Sequence, residues 1–117
     1  MTIRDIIKIL GAELICREDL LDTNVERAFG SDMMSDVLAF VKDRALLLTG
    51  LINPQVVRTA EMMDISAIVF VRGKQPEENV IELAKSKDMV VFSTDYPLYV
   101  ACGKLYSNGL VGKEKEE

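Results

Sequence analysis

Three short apolar segments recur along the chain, and this repetition constrains the fold more than any other feature of the sequence. The segments are residues 45–48 (ALLL), 67–71 (AIVFV) and 89–92 (MVVF). An apolar run without alternation is typical of a strand that is buried on both faces. Because a helical pattern follows each run, the sequence predicts right-handed βαβ units and a three-layer α/β/α sandwich with a mainly parallel sheet.

The helices between these strands carry recognisable start signals. A proline is expected at the first position of each of the three helices, where its missing N–H is no loss. These prolines are Pro54, Pro76 and Pro97. Asn53 is expected to cap the first of these helices, and Glu77 and Glu78 to lie in the first turn of the second, where the helix dipole favours acids. In the last helix Leu98, Cys102 and Leu105 are predicted to face the core.

An amphipathic helix is also predicted at the start of the chain. Its apolar residues are Ile3, Ile6, Ile7 and Leu10. Thr2 and Asp5 are spaced as in a capping box, and Gly11 is expected to end the helix. Residues 12–17 are then predicted to form a short strand.

The next segment has a weaker pattern. Residues 25–29 are predicted to form an edge strand, and Ser31 or Asp32 to cap the helix that follows. Met34, Val37, Leu38 and Val41 share one helical face, which predicts a helix of about three turns. Residues 1–112 are therefore expected to be a single domain, and residues 113–117 a frayed charged tail.

Composition excludes several classes of protein. The chain has 117 residues, 49% of them hydrophobic and 28% charged, which suits one well-filled domain. The net charge of −5 without a basic cluster argues against a nucleic-acid partner. No stretch approaches the ~20 apolar residues that a bilayer span requires, and the charged N-terminus does not resemble a signal peptide. A cytoplasmic location without membrane association is expected.

Two cysteines, Cys16 and Cys102, are far apart in sequence and have apolar neighbours. Both are expected to be small buried core residues, and a reactive or disulfide role is the alternative. Two thiolates in a chain without histidine cannot complete a zinc site or hold an iron–sulfur cluster. No metal and no cofactor are therefore expected.

Polar, turn-forming residues follow each apolar run. They are Thr49 and Gly50, Arg72 and Gly73, and Thr94 and Asp95. Open parallel sheets bind ligands at the carboxyl ends of their strands, and the N–H groups at helix starts attract anions. The sequence thus predicts a candidate anion site, with hydroxyls from the threonines and a guanidinium from Arg72. The alternative is that these residues only build βα turns and that Asp95 caps the last helix.

Recognisable catalytic motifs are absent. The sequence contains neither a P-loop nor a G-x-G-x-x-G after a strand, and it lacks histidine, the commonest general base. No catalytic residue is predicted, so an enzyme is not expected.

The methionine pairs Met33-Met34 and Met62-Met63 should each have one residue in the core and one near the surface. Such a rim suits an adaptable self-association face.

The segment 46–105 resembles the DRTGG domain, which is similar to the N-terminal domain of HPr kinase/phosphorylase. Related segments occur in phosphotransacetylases and in pyrophosphatases with CBS domains. The pieces that carry the resemblance are Val71-Arg72-Gly73, Pro76-Glu77-Glu78, Glu82-Leu83-Ala84 and Val91-Phe92-Ser93-Thr94-Asp95-Tyr96-Pro97. The string D-R-T-G-G itself is absent. The resemblance implies an accessory regulatory module whose catalytic partner domains lie outside this chain.

Two functions remain open. The first is a non-catalytic regulatory or assembly module that forms a homodimer, since a short chain rich in apolar residues leaves a face to pair. The second is a sensor that binds a nucleotide or another small anion at the strand ends. A protein partner is compatible with either.

Overall fold

A five-stranded sheet forms the middle layer of the computed structural model, which describes residues 1–40 and 44–112. The strands are β1 (Glu13–Cys16), β2 (Arg27–Gly30), β3 (Ala45–Thr49), β4 (Ala67–Phe70) and β5 (Val90–Ser93). Their order across the sheet is β1-β5-β4-β3-β2. The four strands β2 to β5 are parallel, and β1 pairs with β5 in the antiparallel direction. The predicted mainly parallel sheet is confirmed.

Helices cover both faces of the sheet. They are α1 (Ile3–Leu10), α2 (Met34–Phe40), α3 (Pro54–Met62), α4 (Glu78–Ser86) and α5 (Leu98–Ser107). Helices α2, α3 and α4 pack on one face, and α1 and α5 pack on the other. The predicted three-layer sandwich is therefore confirmed. None of the described helices is long and apolar enough to cross a membrane.

The uninterrupted apolar runs are explained by the two cores. In β3, Leu47 points into the core under α2, α3 and α4, while Leu46 and Leu48 point into the core under α1 and α5. All residues of β3, β4 and β5 are buried, because each of these strands has a helix layer on both sides.

Helix α1 begins and ends where the sequence predicts. The Asp5 N–H donates to Thr2 Oγ1 at 3.2 Å, and the Thr2 N–H donates to Asp5 Oδ2 at 3.2 Å, which completes a capping box. Gly11 adopts a left-handed conformation, with φ 55°, and ends the helix.

The helix of about three turns predicted here, α2, is described only as far as Phe40. It spans Met34–Phe40, and Val41 lies outside the described residues, as does the tail 113–117. Val37 is buried as expected, whereas Leu38 is 41% exposed. The helix lies at the end of its layer, beside α3, so that only a narrow stripe of its surface meets the core.

The prediction of proline at the first position of three helices is correct only for Pro54 in α3. Pro76 precedes Glu77, the N-cap of α4, and Pro97 is itself the N-cap of α5. Proline fixes φ but leaves ψ free, and Pro97 has φ −63° with an extended ψ of 162°. A proline near a helix start therefore does not determine which of these positions it takes.

Candidate functional site

The six predicted site residues lie at one edge of the sheet. Thr49 ends β3, Arg72 and Gly73 follow β4, and Thr94 and Asp95 follow β5. In the register of the sheet, Thr49 is beside Phe70 and Phe70 is beside Ser93. The three turns consequently form a row along the carboxyl ends of β3, β4 and β5, where ligands bind in open parallel sheets.

The two threonine hydroxyls in this row point into the protein. Thr49 Oγ1 donates to Asp32 Oδ1 at 3.1 Å and accepts the N–H of Leu51. Thr94 Oγ1 donates to the carbonyl of Leu10 at 2.8 Å, which ties the end of β5 to the end of α1. Both threonines are buried, so their hydroxyls shape the turns and do not face a ligand.

The main-chain N–H groups of the turns also have partners within the protein. The Gly50 N–H donates to Asp32 Oδ1 at 2.7 Å, the Arg72 N–H to the carbonyl of Tyr96 at 2.9 Å, and the Gly73 N–H to the carbonyl of Thr94 at 2.8 Å. These bonds satisfy main-chain donors of the turns after β3 and β4 within the protein. They also leave the recognition of any ligand mainly to charged side chains.

Asp32 was expected only as a cap of α2, and this expectation is wrong. Its carboxylate accepts from Gly50 and Thr49 at the end of β3, whereas Ser31 Oγ accepts the N–H of Met33 at the approach to α2. Only the pairing of β2 with β3 brings these groups together. A signal for this role was an acidic residue two positions after an edge strand, but the strand order was needed to use it.

Arg72 contributes an exposed guanidinium to the row of turns at the strand ends. Its guanidinium lies against the α-carbon of Gly50, where any larger side chain would collide with it. Arg72 is exposed, and its guanidinium makes no hydrogen bond or ion pair with residues 1–40 or 44–112. Its backbone is left-handed, with φ 58°, a conformation that residues with a β-carbon rarely adopt. The turn thus fixes the backbone of Arg72, while the donors of its guanidinium have no partner within the described residues.

Asp95 occupies the equivalent position one strand further along. A β-carbon on Gly73 would lie 3.2 Å from Asp95 Oδ1, so this carboxylate rests on the turn after β4. Asp95 does not cap α5, because Pro97 is the N-cap and no side chain caps that end. The alternative prediction of a capping role is therefore wrong.

The turn before α5 adds an aromatic ring and a second cation, both of which the sequence analysis missed. Lys104 Nζ lies 4.8 Å from the centroid of the Tyr96 ring, within the range of a cation–π contact. The carbonyl of Tyr96 accepts from Arg72, so this pair borders the same edge.

The two cysteines lie on opposite sides of the sheet as free thiols. Cys16 is buried in one core, and Cys102 is half-buried against the other. Burial raises the pKa of both thiols, which lowers their reactivity. Within the described ranges, no three potential metal ligands lie close enough to share an ion.

A second surface feature is the outer face of α5, where several large apolar side chains are exposed. Tyr99 is 89% exposed and Tyr106 is 56% exposed. Beside Tyr106 a groove of about 540 Å³ lies between α5, β2 and the segment after α5, and Cys102, Leu105 and Leu110 line it.

The predicted methionine pairs are confirmed as core plus rim, since Met33 and Met62 are exposed and their neighbours are half-buried.

Comparison with known proteins identifies relatives of this fold. The family model of the DRTGG domain matches residues 5–105. The chain is also similar to a crystal structure of the CBS and DRTGG domains of the regulatory region of Clostridium perfringens pyrophosphatase, complexed with the activator diadenosine tetraphosphate. The TM-score is 0.70 at 16% sequence identity, and the match covers 97% of this chain but 51% of that one. This chain thus spans about half of that structure. No curated protein matches the chain significantly in sequence.

Proposed function

Because this chain belongs to the DRTGG domain family, we propose that it is a non-catalytic regulatory module that acts as a homodimer. The observation that carries the dimer is the outer face of α5. Tyr99, Gly103 and Tyr106 follow one another at helical spacings of four and three residues and share the side of α5 opposite the buried Ala101 and Leu105. Tyrosine is enriched at protein interfaces, and two exposed tyrosines on one helical face suit such a contact.

Gly103 gives the second part of the argument. A glycine inside a helix costs about 1 kcal/mol relative to alanine. Apart from the two chain neighbours of Gly103 and the backbone of α5 itself, no atom of the described chain lies within 4 Å of the position that a β-carbon on Gly103 would occupy. The fold itself therefore gives no reason for a glycine here, whereas a helix packing closely against this face from another molecule does.

The occupant that fits best is a second copy of the chain. Tyr99 and Tyr106 are placed almost symmetrically about Gly103, so two antiparallel copies of α5 related by a two-fold axis near Gly103 would set each Tyr99 beside the partner's Tyr106. Such a pairing is self-complementary, as a two-fold interface must be. The groove beside Tyr106 continues the apolar surface beyond the helix and enlarges the area available for contact.

A non-catalytic role in the cytoplasm is consistent with the site chemistry. The threonine hydroxyls and the turn N–H groups are already bonded within the protein, and neither thiol has an activating base in the described structure. Free cysteines suit a reducing compartment.

The dimer is tested by sedimentation equilibrium of matched serine variants. We expect wild type to form a dimer, Tyr99→Ser to weaken it by at least tenfold, equivalent to about 1.4 kcal/mol, and Met62→Ser to leave it unchanged. Met62 is the control because it is 72% exposed on α3, on the other face of the sheet. Dissociation by Met62→Ser and not by Tyr99→Ser would place the interface on the methionine rim. A monomeric wild type would refute the dimer altogether.

A second function is favoured by Arg72, whose guanidinium is exposed and unpaired within the described residues. Arginine is the residue best suited to bind phosphate groups through paired hydrogen bonds. The similar pyrophosphatase regulatory region was solved in complex with a nucleotide activator. We therefore propose, as the alternative, that the strand ends form a sensor site for a nucleotide or another small anion. A sensor depends on Arg72, whereas the α5 interface does not.

A further inference from the structure

We propose that the carboxyl ends of β3, β4 and β5 bind a ribonucleotide, with a phosphate on Arg72 and the ribose hydroxyls on Asp95. This inference rests on the proposed sensor function and specifies its ligand. The basis is the juxtaposition of one free guanidinium and one free carboxylate, each supported by a glycine of the neighbouring turn.

Arg72 has the features expected of a residue that binds a phosphate group. Its main chain is fixed at both ends of the turn, because its own N–H binds Tyr96 and the N–H of Gly73 binds Thr94. Its guanidinium lies over Gly50 and has no carboxylate partner within residues 1–40 and 44–112. The planar guanidinium presents its donors in a fixed fork, so less side-chain freedom is lost for each hydrogen bond that it forms to a phosphate.

Asp95 discriminates against a bare anion. Its carboxylate is exposed beside the same row of turns, makes no ion pair with any described residue, and would repel inorganic phosphate. The negative charge of Asp32 below Gly50 acts in the same direction. A carboxylate at the end of a parallel strand can instead accept hydrogen bonds from ribose hydroxyls, as acidic residues do in dinucleotide-binding folds.

The separation of the two groups suits one nucleotide. Arg72 leans from the turn after β4 toward β3, and Asp95 leans from the turn after β5 toward β4. The two groups therefore lie on neighbouring turns, the guanidinium at the turn after β3 and the carboxylate at the turn after β4. A sugar and its attached phosphate can span such a step, whereas inorganic phosphate contacts only one of the two side chains.

Calorimetric titration with AMP, GMP, CMP, UMP and inorganic phosphate tests the proposal. We expect at least one ribonucleotide to bind more tightly than inorganic phosphate and than its own 2′,3′-dideoxy form. Arg72→Gln should weaken that ribonucleotide by at least tenfold. Asp95→Asn should reduce the preference for the ribonucleotide over the dideoxy form, while the dideoxy form binds no worse.

Two control variants lie at the opposite end of the sheet. Arg44→Gln replaces an exposed arginine that also has a left-handed backbone, with φ 60°, and Asp64→Asn replaces an exposed aspartate with φ 58°. Both should bind like wild type. Equal binding of the ribo and dideoxy forms would overturn the ribose assignment and leave the sensor standing. Failure of every nucleotide and of phosphate to bind wild type would overturn both, without bearing on the homodimer.

Discussion

Asp32 shows how one side chain at the end of an edge strand can organise its neighbour. Its Oδ1 atom accepts hydrogen bonds from the Thr49 hydroxyl and from the Gly50 N–H. Gly50 in turn leaves room for the Arg72 guanidinium. The turn against which the Arg72 guanidinium lies is thus held by a residue that follows a different strand.

Replacing Asp32 should therefore destabilise the fold. Asp32→Ala removes the acceptor of a fully buried hydroxyl, and an unsatisfied buried donor costs about 1–3 kcal/mol. Asp32→Asn keeps an oxygen in the same place and should lose clearly less. Urea denaturation of the two variants measures this difference. If both variants unfold within about 0.5 kcal/mol of wild type, a typical surface effect, the role assigned to Asp32 is wrong.

At the residue scale, sequence reasoning could predict which residues converge but not how they are used. Thr49, Arg72 and Thr94 follow apolar runs, and parallel strands bring such ends together. That the threonine hydroxyls point inward depends on Asp32 and Leu10, whose positions follow from the strand order and from the packing of α1. These contacts join residues 17 and 84 positions apart, and no local pattern encodes them.

Among the elements, the buried strands were the most predictable. Residues of β3, β4 and β5 are apolar on both faces, and only a strand between two helix layers requires that pattern. The direction of β1 was not predictable, because its four residues pair equally well either way and the sheet order decides. Periodicity alone did not show how little of α2 the core covers, so Leu38 was placed on the inward face although it is 41% exposed.

Helix α1 allows a test of local capping. Hydrogen bonds from Thr2 lower the pKa of Asp5 below its ordinary value of 3.8. The Thr2 N–H contributes the larger effect and the Thr2 side chain the smaller one. A lowered folded-state pKa means that the ionised form stabilises the fold above the unfolded-state pKa, and that this contribution is lost as the pH falls through the folded-state value.

Two substitutions separate the parts of this cap. Thr2→Ala should cost about 1 kcal/mol at neutral pH, as expected for loss of an N-cap hydroxyl. In Asp5→Asn the free energy of unfolding should fall less steeply as the pH drops below the ordinary carboxyl pKa, because no ionisable group then remains at that position. Thermal unfolding between acid and neutral pH measures both effects. An unchanged acid profile for Asp5→Asn would show that the capping box does not contribute to the acid sensitivity.

For the whole molecule, α5 adjoins both proposed surfaces, the ligand site at the strand ends and the dimer face. Its first residues continue from the turn that carries Asp95 and Tyr96, and Lys104 on the same helix contacts the Tyr96 ring. Its outer face carries Tyr99, Gly103 and Tyr106. A ligand held at the strand ends would therefore adjoin the helix through which two copies are proposed to pair. Any coupling between ligand and dimer must be reciprocal, because binding free energies are linked.

The proposed pairing of two copies through the outer face of α5 is tested by Gly103→Ala. Since nothing in the described chain contacts that position, alanine should stabilise the dilute monomer by up to about 1 kcal/mol. The same methyl group should hold two copies of α5 apart and weaken the dimer by about tenfold, equivalent to about 1.4 kcal/mol. Sedimentation equilibrium measures the dissociation constants, with wild type expected at about twice the chain mass of 13.1 kDa. A more stable variant that dimerises less supports pairing through this face of α5. A variant that associates as tightly as wild type contradicts it, as does a wild type that stays at 13.1 kDa at every concentration.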